Sequence, residues 1–174
     1  MKIPLTKIVH GSLVTSWCCW EYPSHPDGCG NYLDKKWCPP QAPMFPNILD
    51  VSNYKSKDYG DMTITELRED KDPTMWLFYK EFNIGEWVNG FLEAHPSRSE
   101  KQARIPYLWQ DKVYKQVYSE AMAFSWTLGK PSQLLERPEA TGVNLFSTIR
   151  VNGGPVLKRN PKQKLYLMCI LGLV

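Results

Sequence analysis

Residues 17–45 read WCCWEYPSHPDGCGNYLDKKWCPPQAPMF and contain four of the five cysteines and one of the three histidines of the chain. Proline and glycine are too frequent here for a regular helix or strand. A segment of this length without secondary structure is unusual in a compact domain, unless it is disordered or held by something other than backbone hydrogen bonds. Because thiols are clustered in it, we expect a Cys-rich loop, residues 17–46, that wraps a metal centre.

The rest of the composition is that of an ordinary globular domain. The chain has 174 residues, of which 43% are apolar, which predicts a single domain over residues 1–174 that buries about two-thirds of its unfolded surface. The formal net charge of +3 is too small to indicate nucleic-acid binding by itself.

Neither end of the sequence predicts a membrane or secretory segment. The longest apolar run, LYLMCILGLV at residues 165–174, is about half the length of a membrane span and predicts a buried strand. The first residues lack the features of a secretory signal. We therefore expect a cytoplasmic protein with no membrane partner, in which an odd number of reduced cysteines suits metal ligation plus one core thiol better than disulfides.

Hydrophobic periodicity predicts strands on both sides of the loop and helices in the second half of the chain. In the first half of the chain we predict a first strand at 7–17, one or two helical turns at 47–54, a polar loop at 55–60 and a hairpin formed by 62–68 and 74–84. In the second half we predict a short helix at 86–94, a charged connection at 97–104, a long helix at 107–128, a helix at 143–151 and a last strand at 165–174. The strand at 74–84 is apolar on both faces, so we expect it to be central.

These elements predict an α+β fold. We expect a small mixed sheet of about four strands, packed with one long and two or three short helices, plus the Cys-rich loop. A last strand at the sheet edge would offer a pairing surface to another chain.

The candidate metal ligands are His25, Cys29, Cys38 and one of the adjacent pair Cys18 and Cys19. Thiolate and imidazole groups are the ligands that zinc and iron–sulfur clusters use. The spacing is not diagnostic, because a zinc ribbon has two Cys-x-x-Cys pairs and this loop has none. Adjacent residues of an extended chain point in opposite directions, so only one of the pair is expected to join. The alternative is four free cysteines packed as small hydrophobic residues in a Trp-rich loop.

Two segments resemble a family described as predicted metal-binding proteins, domain of unknown function 2284. Its N-terminal signature reads roughly C-x3-C-x2-Y-G-K-x3-C-P-P-x-A-P, and residues 28–43 are similar to it. The sequence RPEATGVNLFST at residues 137–148 is similar to the family's RPSMEAxGIDVFxT segment. The matching positions in the first signature are Cys29, Tyr32, Cys38, Pro39, Pro40 and Pro43, and the family's first cysteine falls on His25.

The resemblance implies metal binding without an established activity. The family usually carries a second cysteine group after the long helix, whereas residues 129–136 of this chain contain none. This predicts one mononuclear zinc ion, with an iron–sulfur cluster as the alternative, since histidine can replace a cysteine ligand. Cys169 is flanked by apolar residues and is expected in the core.

Two functions follow from this prediction. In the first, the metal or cluster performs redox or hydrolytic chemistry beside a pocket that contains Tyr32 and Asp34. In the second, a structural zinc closed by four ligands supports a binding module for a protein partner or nucleic acid. The basic residues that would form such a surface are Lys35, Lys36, Lys158, Arg159, Lys162 and Lys164.

Overall fold

The computed structural model describes residues 1–20, 27–30, 32–36, 38–158 and 161–174. The described residues form an α+β body of two antiparallel sheets and five α-helices. The strands are β1 (Lys2–Pro4), β2 (Lys7–His10), β3 (Tyr54–Tyr59), β4 (Met62–Leu67), β5 (Met75–Asn83), β6 (Ser132–Leu135) and β7 (Lys164–Leu173). The helices are α1 (Ser12–Ser16), α2 (Ile84–Ala94), α3 (Glu100–Ala103), α4 (Gln110–Thr127) and α5 (Leu145–Val151).

The larger sheet has the strand order β1-β5-β7-β6. All nine residues of β5 pair with β7, from Met75 opposite Gly172 to Asn83 opposite Lys164. The prediction of a central strand at 74–84 is therefore confirmed. The expectation that the last strand is an edge is wrong, because β7 lies between β5 and β6.

The smaller sheet has the order β2-β4-β3 and corrects the predicted hairpin. Strand β4 pairs with β3, the two being joined by Gly60 and Asp61, whereas β5 belongs to the other sheet. Gly60 has a φ of +68°, which glycine adopts without strain. Residues 55–60 were expected to be a loop because they are polar. Residues 55–59 belong to the edge strand β3, in which only Tyr54 is buried, so no apolar alternation marks them.

Several other predictions also need correction. The first strand ends at His10 rather than residue 17, and Gly11 leads into α1. A Cβ on Gly11 would collide with the carbonyl oxygen of Asp61, so the close approach of these two backbones requires glycine. The predicted mixed sheet of about four strands is replaced by two antiparallel sheets, and the short strands β1 and β6 carry too few residues to show a period.

The predicted helices are largely present. The long helix α4 spans 18 residues and buries Val113, Val117 and Ala121. Val117 and Ala121 belong to a cluster with Phe78 and Leu171 of the larger sheet. The predictions of α2 and α5 are confirmed. The region at 97–104 contains α3, whose start is closed by reciprocal hydrogen bonds between Ser99 and Gln102. The helical turn expected at 47–54 is instead a 3-10 turn at Phe45–Asn47.

The other face of the larger sheet packs against the smaller sheet, α5 and the end of the Cys-rich loop. Phe45 is fully buried there, together with Leu5, Met75 and Ile149. Phe45 therefore fixes the C-terminal end of the Cys-rich loop in the core. In the part of the chain that the structure describes, no helix has the length and apolar character needed to cross a membrane.

Gly142 is in contact with the backbone of Gly11 and with the side chain of Met44 near the end of the Cys-rich loop. Its carbonyl accepts a hydrogen bond of 2.9 Å from the backbone N–H of Gly11. Its φ is +85°, and a Cβ would lie 3.0 Å from the carbonyl oxygen of Gly11 and would clash with the terminal methyl of Met44. Glycine is thus required both by the backbone conformation and by the close packing of the loop end.

Substitution of Gly142 by alanine should destabilise the protein more than the same change at Gly129. Both glycines have positive φ, but a Cβ at Gly129 would meet nothing within 4 Å. We expect a loss of about 1 kcal/mol for Gly129→Ala from backbone strain and about 2–4 kcal/mol for Gly142→Ala, where steric overlap adds to it. Chemical denaturation of both variants measures the difference; equal losses would mean that the contact with Met44 and Gly11 relaxes without cost.

Candidate metal centre

The two sides of the Cys-rich loop meet at Cys18 and Cys29. Cys18 and Cys19 lie in a 3-10 turn, Trp17–Cys19, and the backbone N–H of Cys29 donates to the carbonyl of Cys18 at 2.7 Å. Gly28 has a φ of +85°, and a Cβ there would lie 2.5 Å from the carbonyl oxygen of Cys18. Because only glycine permits this approach, the local sequence Gly28-Cys29 places Cys29 beside Cys18.

Cys38 is held by a compact turn. Its backbone N–H donates to the carbonyl of Lys35 at 2.9 Å, and its carbonyl accepts from the N–H groups of Gln41 and Ala42 at 3.0 Å each. The residue is only 6% exposed. Cys38 is therefore fixed by backbone hydrogen bonds at the inner side of the loop.

Cys18, Cys29 and Cys38 line one cavity of about 390 Å³, which we call the thiol cavity. Three of the loop's cysteines thus border the same space. The remaining walls come from distant parts of the chain: the first turn of α4 with Gln110, Asp111 and Tyr114, the segment 136–140 with Glu136, Arg137 and Glu139, and the β7 residues Tyr166, Leu167 and Met168.

The charge states of the three thiols are linked. Burial, together with negative charge on Cys29 and Cys38, raises the pKa of Cys18 to about 11. The thiols are near enough for their charges to interact, and without a cation Cys18 is neutral at physiological pH. A bound cation would offset both causes, because it compensates for lost hydration and for repulsion between thiolates.

Glu139 adds a carboxylate to the wall of the cavity. The residue is exposed to solvent and lines the thiol cavity. Loss of hydration raises the pKa of its carboxyl, and a backbone hydrogen bond and the charge of Arg137 act in the opposite direction. Nearby, the Tyr114 hydroxyl donates to the carbonyl of Glu136 at 3.3 Å, and burial raises the pKa of that hydroxyl above its ordinary value.

The structure separates the adjacent cysteines Cys18 and Cys19. Cys18 lines the thiol cavity, whereas Cys19 is exposed. A hydrogen bond with Cys19 raises the pKa of the Tyr32 hydroxyl, so Cys19 is directed at Tyr32. The segment is a 3-10 turn rather than the extended chain on which the expectation of opposite directions was based.

The other predicted residues are distributed as follows. Tyr32 lines the thiol cavity. Asp34 is exposed and pairs with Lys35 at 3.2 Å. His25 lies outside the described residues. Cys169 is fully buried, as predicted, and burial raises its pKa to about 12.

The thiols border the cavity without forming a ready-made coordination cluster. Among residues 1–20, 27–30, 32–36, 38–158 and 161–174, no group of three His, Cys, Asp or Glu side chains is arranged to hold a metal ion. The sulfur donors nevertheless fit zinc in type and in their common cavity. A metal would have to draw the three sulfurs inward, and a fourth ligand would have to come from His25 or Cys19.

Sequence reasoning missed Asp111, Tyr114 and Glu139. They are distant in the chain from the cysteines, and no spacing motif connects them with the loop. Glu139 lies within the segment that resembles the RPSMEA-like signature, which was the available signal for it.

Comparison of the chain with protein-family models, with curated proteins and with solved structures finds no match. The resemblance of residues 28–43 and 137–148 to the metal-binding family therefore remains a prediction. The structure adds one relevant fact about these two segments. Cys29, Cys38, Arg137 and Glu139 all line the thiol cavity.

The raised pKa of Cys18 predicts a pH-dependent stability of the metal-free protein. A thiol that ionises at about pH 9.0 in the unfolded chain and at about 11 in the folded one stabilises the fold fully below pH 9. This contribution is lost as pH rises from 9 through 11, because the unfolded state then binds fewer protons. Since the thiol is partly solvated, we expect the loss to be about 1 kcal/mol.

Chemical denaturation at pH 8 and pH 11 after chelation measures this loss in the wild type and in Cys18→Ser. The serine variant should lose less stability than the wild type over that interval. Identical pH dependence of the wild type and Cys18→Ser would contradict the assignment.

Proposed function

We propose that this protein binds one metal ion, zinc, in the thiol cavity through Cys18, Cys29 and Cys38. In a site for chemistry the fourth position is open, and in a structural site His25 or Cys19 supplies the fourth ligand. The observation that carries the proposal is that three cysteines from three different turns of the same loop line a single cavity.

The protonation of the thiols supports a cation at this position. In the absence of metal, burial and the charges of Cys29 and Cys38 disfavour the Cys18 thiolate. Zinc coordinates thiolates, so its binding must release protons, and its affinity must fall as pH falls. The cation also removes the repulsion that otherwise makes three adjacent thiolates unfavourable.

Zinc fits the donor set better than an iron–sulfur cluster. A mononuclear zinc in a site for chemistry needs three protein ligands, which the cavity cysteines supply, and a structural zinc needs one more, from His25 or Cys19. A cluster with four protein ligands needs one of these in every case, together with space for its own iron and sulfide atoms. It remains the alternative occupant of the thiol cavity.

The carboxylates and hydroxyl in the cavity wall support a chemical role for the metal. Glu139, Asp111 and Tyr114 line the cavity together with the loop, and Asp111 and Tyr114 belong to α4. A carboxylate in the cavity wall can accept and return a proton. If zinc keeps an open position, it supplies Lewis-acid chemistry there, and Glu139 is the group placed to handle a proton.

Protein purified without added metal should contain about one zinc per chain. Cys29→Ser and Cys38→Ser should lose most of it, because each removes one of the thiolate ligands, and inductively coupled plasma mass spectrometry measures the content. A visible absorption band near about 400 nm would instead indicate an iron–sulfur cluster.

The matched control is Cys169→Ala, which removes a cysteine from the core and should leave the zinc content unchanged. Parallel measurements on His25→Ala and Cys19→Ser identify the fourth ligand. Wild-type protein without zinc or iron that also fails to bind added zinc would refute the proposal.

The alternative function is a binding module that a structural zinc supports. The number of protein ligands distinguishes this structural zinc from a zinc that performs chemistry. Cobalt replaces zinc in such sites and has a visible spectrum that depends on its ligands. We expect azide to change the spectrum of the cobalt-substituted protein, because a site for chemistry keeps an open position. An unchanged spectrum would indicate four protein ligands and a structural role, and Cys19→Ser should then open the site to azide if Cys19 is the fourth ligand.

A protein or nucleic-acid partner remains part of that alternative function. The basic side chains that would contact it are partly neutralised: Lys35 pairs with Asp34 at 3.2 Å and Lys164 with Glu81 at 2.8 Å. Lys158 and Lys162 are exposed. Such a surface would give weak, strongly salt-dependent binding to a single-stranded oligonucleotide.

A further inference from the structure

A second cavity lies on the other side of Cys38. It has a volume of about 400 Å³ and extends between the Cys-rich loop and strand β6. Cys38, Glu136 and Arg137 line both this cavity and the thiol cavity. This space is in the size range of small-molecule sites, roughly 300–1,000 Å³.

The floor of the second cavity is apolar. It contains Ala42, Ile48, Leu134 and Leu135. Leu135 is 5% exposed and belongs to the main core cluster, to which Ile48 is packed. A ligand in this cavity would therefore place hydrocarbon against aliphatic side chains.

The rim of the cavity carries two cations, Arg137 and Lys35. None of the ion pairs between described residues involves Arg137. Lys35 pairs with Asp34, but both side chains are more than 60% exposed, and such pairs are weak. A guanidinium that is in none of the ion pairs between described residues and lies next to an apolar cavity is suited to binding a planar anion through two parallel hydrogen bonds.

Glu136 also lines the second cavity and brings one negative charge to it, against the two cations Arg137 and Lys35. Glu136 and Arg137 follow the end of β6 at Leu135. The charge of Glu136 also raises the pKa of Tyr114 in α4 and of Cys169, so this carboxylate acts on the α4 side of the sheet as well.

The edge of β6 adds further hydrogen-bonding groups. In the described part of the larger sheet, β6 pairs with β7 on one side and is the last strand on the other. Backbone groups on that outer side are available to a polar ligand group, as at other sheet edges.

We propose that the second cavity binds a small organic carboxylate with a short apolar chain. Its carboxylate pairs with the Arg137 guanidinium, assisted by Lys35, and its chain lies on Ile48, Leu134 and Leu135. This binding requires no metal at the cysteines, so it can be tested separately from the zinc site.

Isothermal titration calorimetry with hexanoate tests the proposal on the full chain, and chemical-shift changes of backbone amides in NMR spectra locate the bound ligand. Hexanoate should bind saturably and shift the amides of Gln133, Leu135 and Thr141. Arg137→Gln should weaken binding roughly tenfold or more, because it removes a charge-assisted pair of hydrogen bonds. Lys35→Gln should weaken it by a smaller factor, and Arg98→Gln, an exposed arginine that lines neither cavity, should leave it unchanged.

Three comparisons distinguish this site from a general anion or hydrophobic surface. Hexanol should bind at least about tenfold more weakly than hexanoate if the carboxylate contact contributes as proposed. Acetate should also bind more weakly, because it lacks the chain. The proposal would be overturned if hexanol or acetate bound as tightly as hexanoate, or if the Arg137→Gln variant bound hexanoate as tightly as the wild type. Absence of saturable hexanoate binding would also overturn it. Cys29→Ser should retain hexanoate affinity, so loss of the metal and loss of this site are separate results.

Discussion

The antiparallel ladder between β5 and β7 is the constraint on which the rest of the molecule depends. It pairs all nine residues of β5 with β7, and both faces of these strands are covered. The α4 helix covers one face, and the smaller sheet, α5 and the anchor residue Phe45 cover the other. Since burial of apolar surface is the main stabilising contribution in such a body, each side of the ladder fixes the position of the elements packed on it.

The thiol cavity is a consequence of this arrangement rather than a property of the Cys-rich loop alone. The loop supplies Cys18, Cys29 and Cys38, but the opposite wall comes from α4, β7 and the segment 136–140. Backbone hydrogen bonds and two close-packed glycines, Gly28 and Gly142, hold the loop in place. A metal bound there would join a loop with little regular structure to the most regular part of the fold, which is where metal binding most effectively adds stability.

The sequence predicted those features whose signal extends over many neighbouring residues. Such a signal is present for the long helix α4, for the strands β5 and β7 and for the Cys-rich loop. Strands β1 and β6 have three and four residues, too few for a period, and β3 is polar because it is an exposed edge. The wrong hairpin between β4 and β5 arose because adjacency in sequence favours pairing, whereas here a turn-rich segment carries the chain from one sheet to the other. Glu139 and Tyr114 approach the cysteines only through the packing of distant elements, which no local pattern encodes.

The position of β7 in the larger sheet has a consequence for biosynthesis. This strand follows every other described element in the chain, yet it lies between β5 and β6 and contributes Tyr166, Leu167 and Met168 to the wall of the thiol cavity. While the ribosome is still translating β7, the cysteines have already emerged but their cavity lacks one wall. If zinc binds as proposed, it can enter the complete thiol cavity only after β7 has been synthesised and has paired with β5.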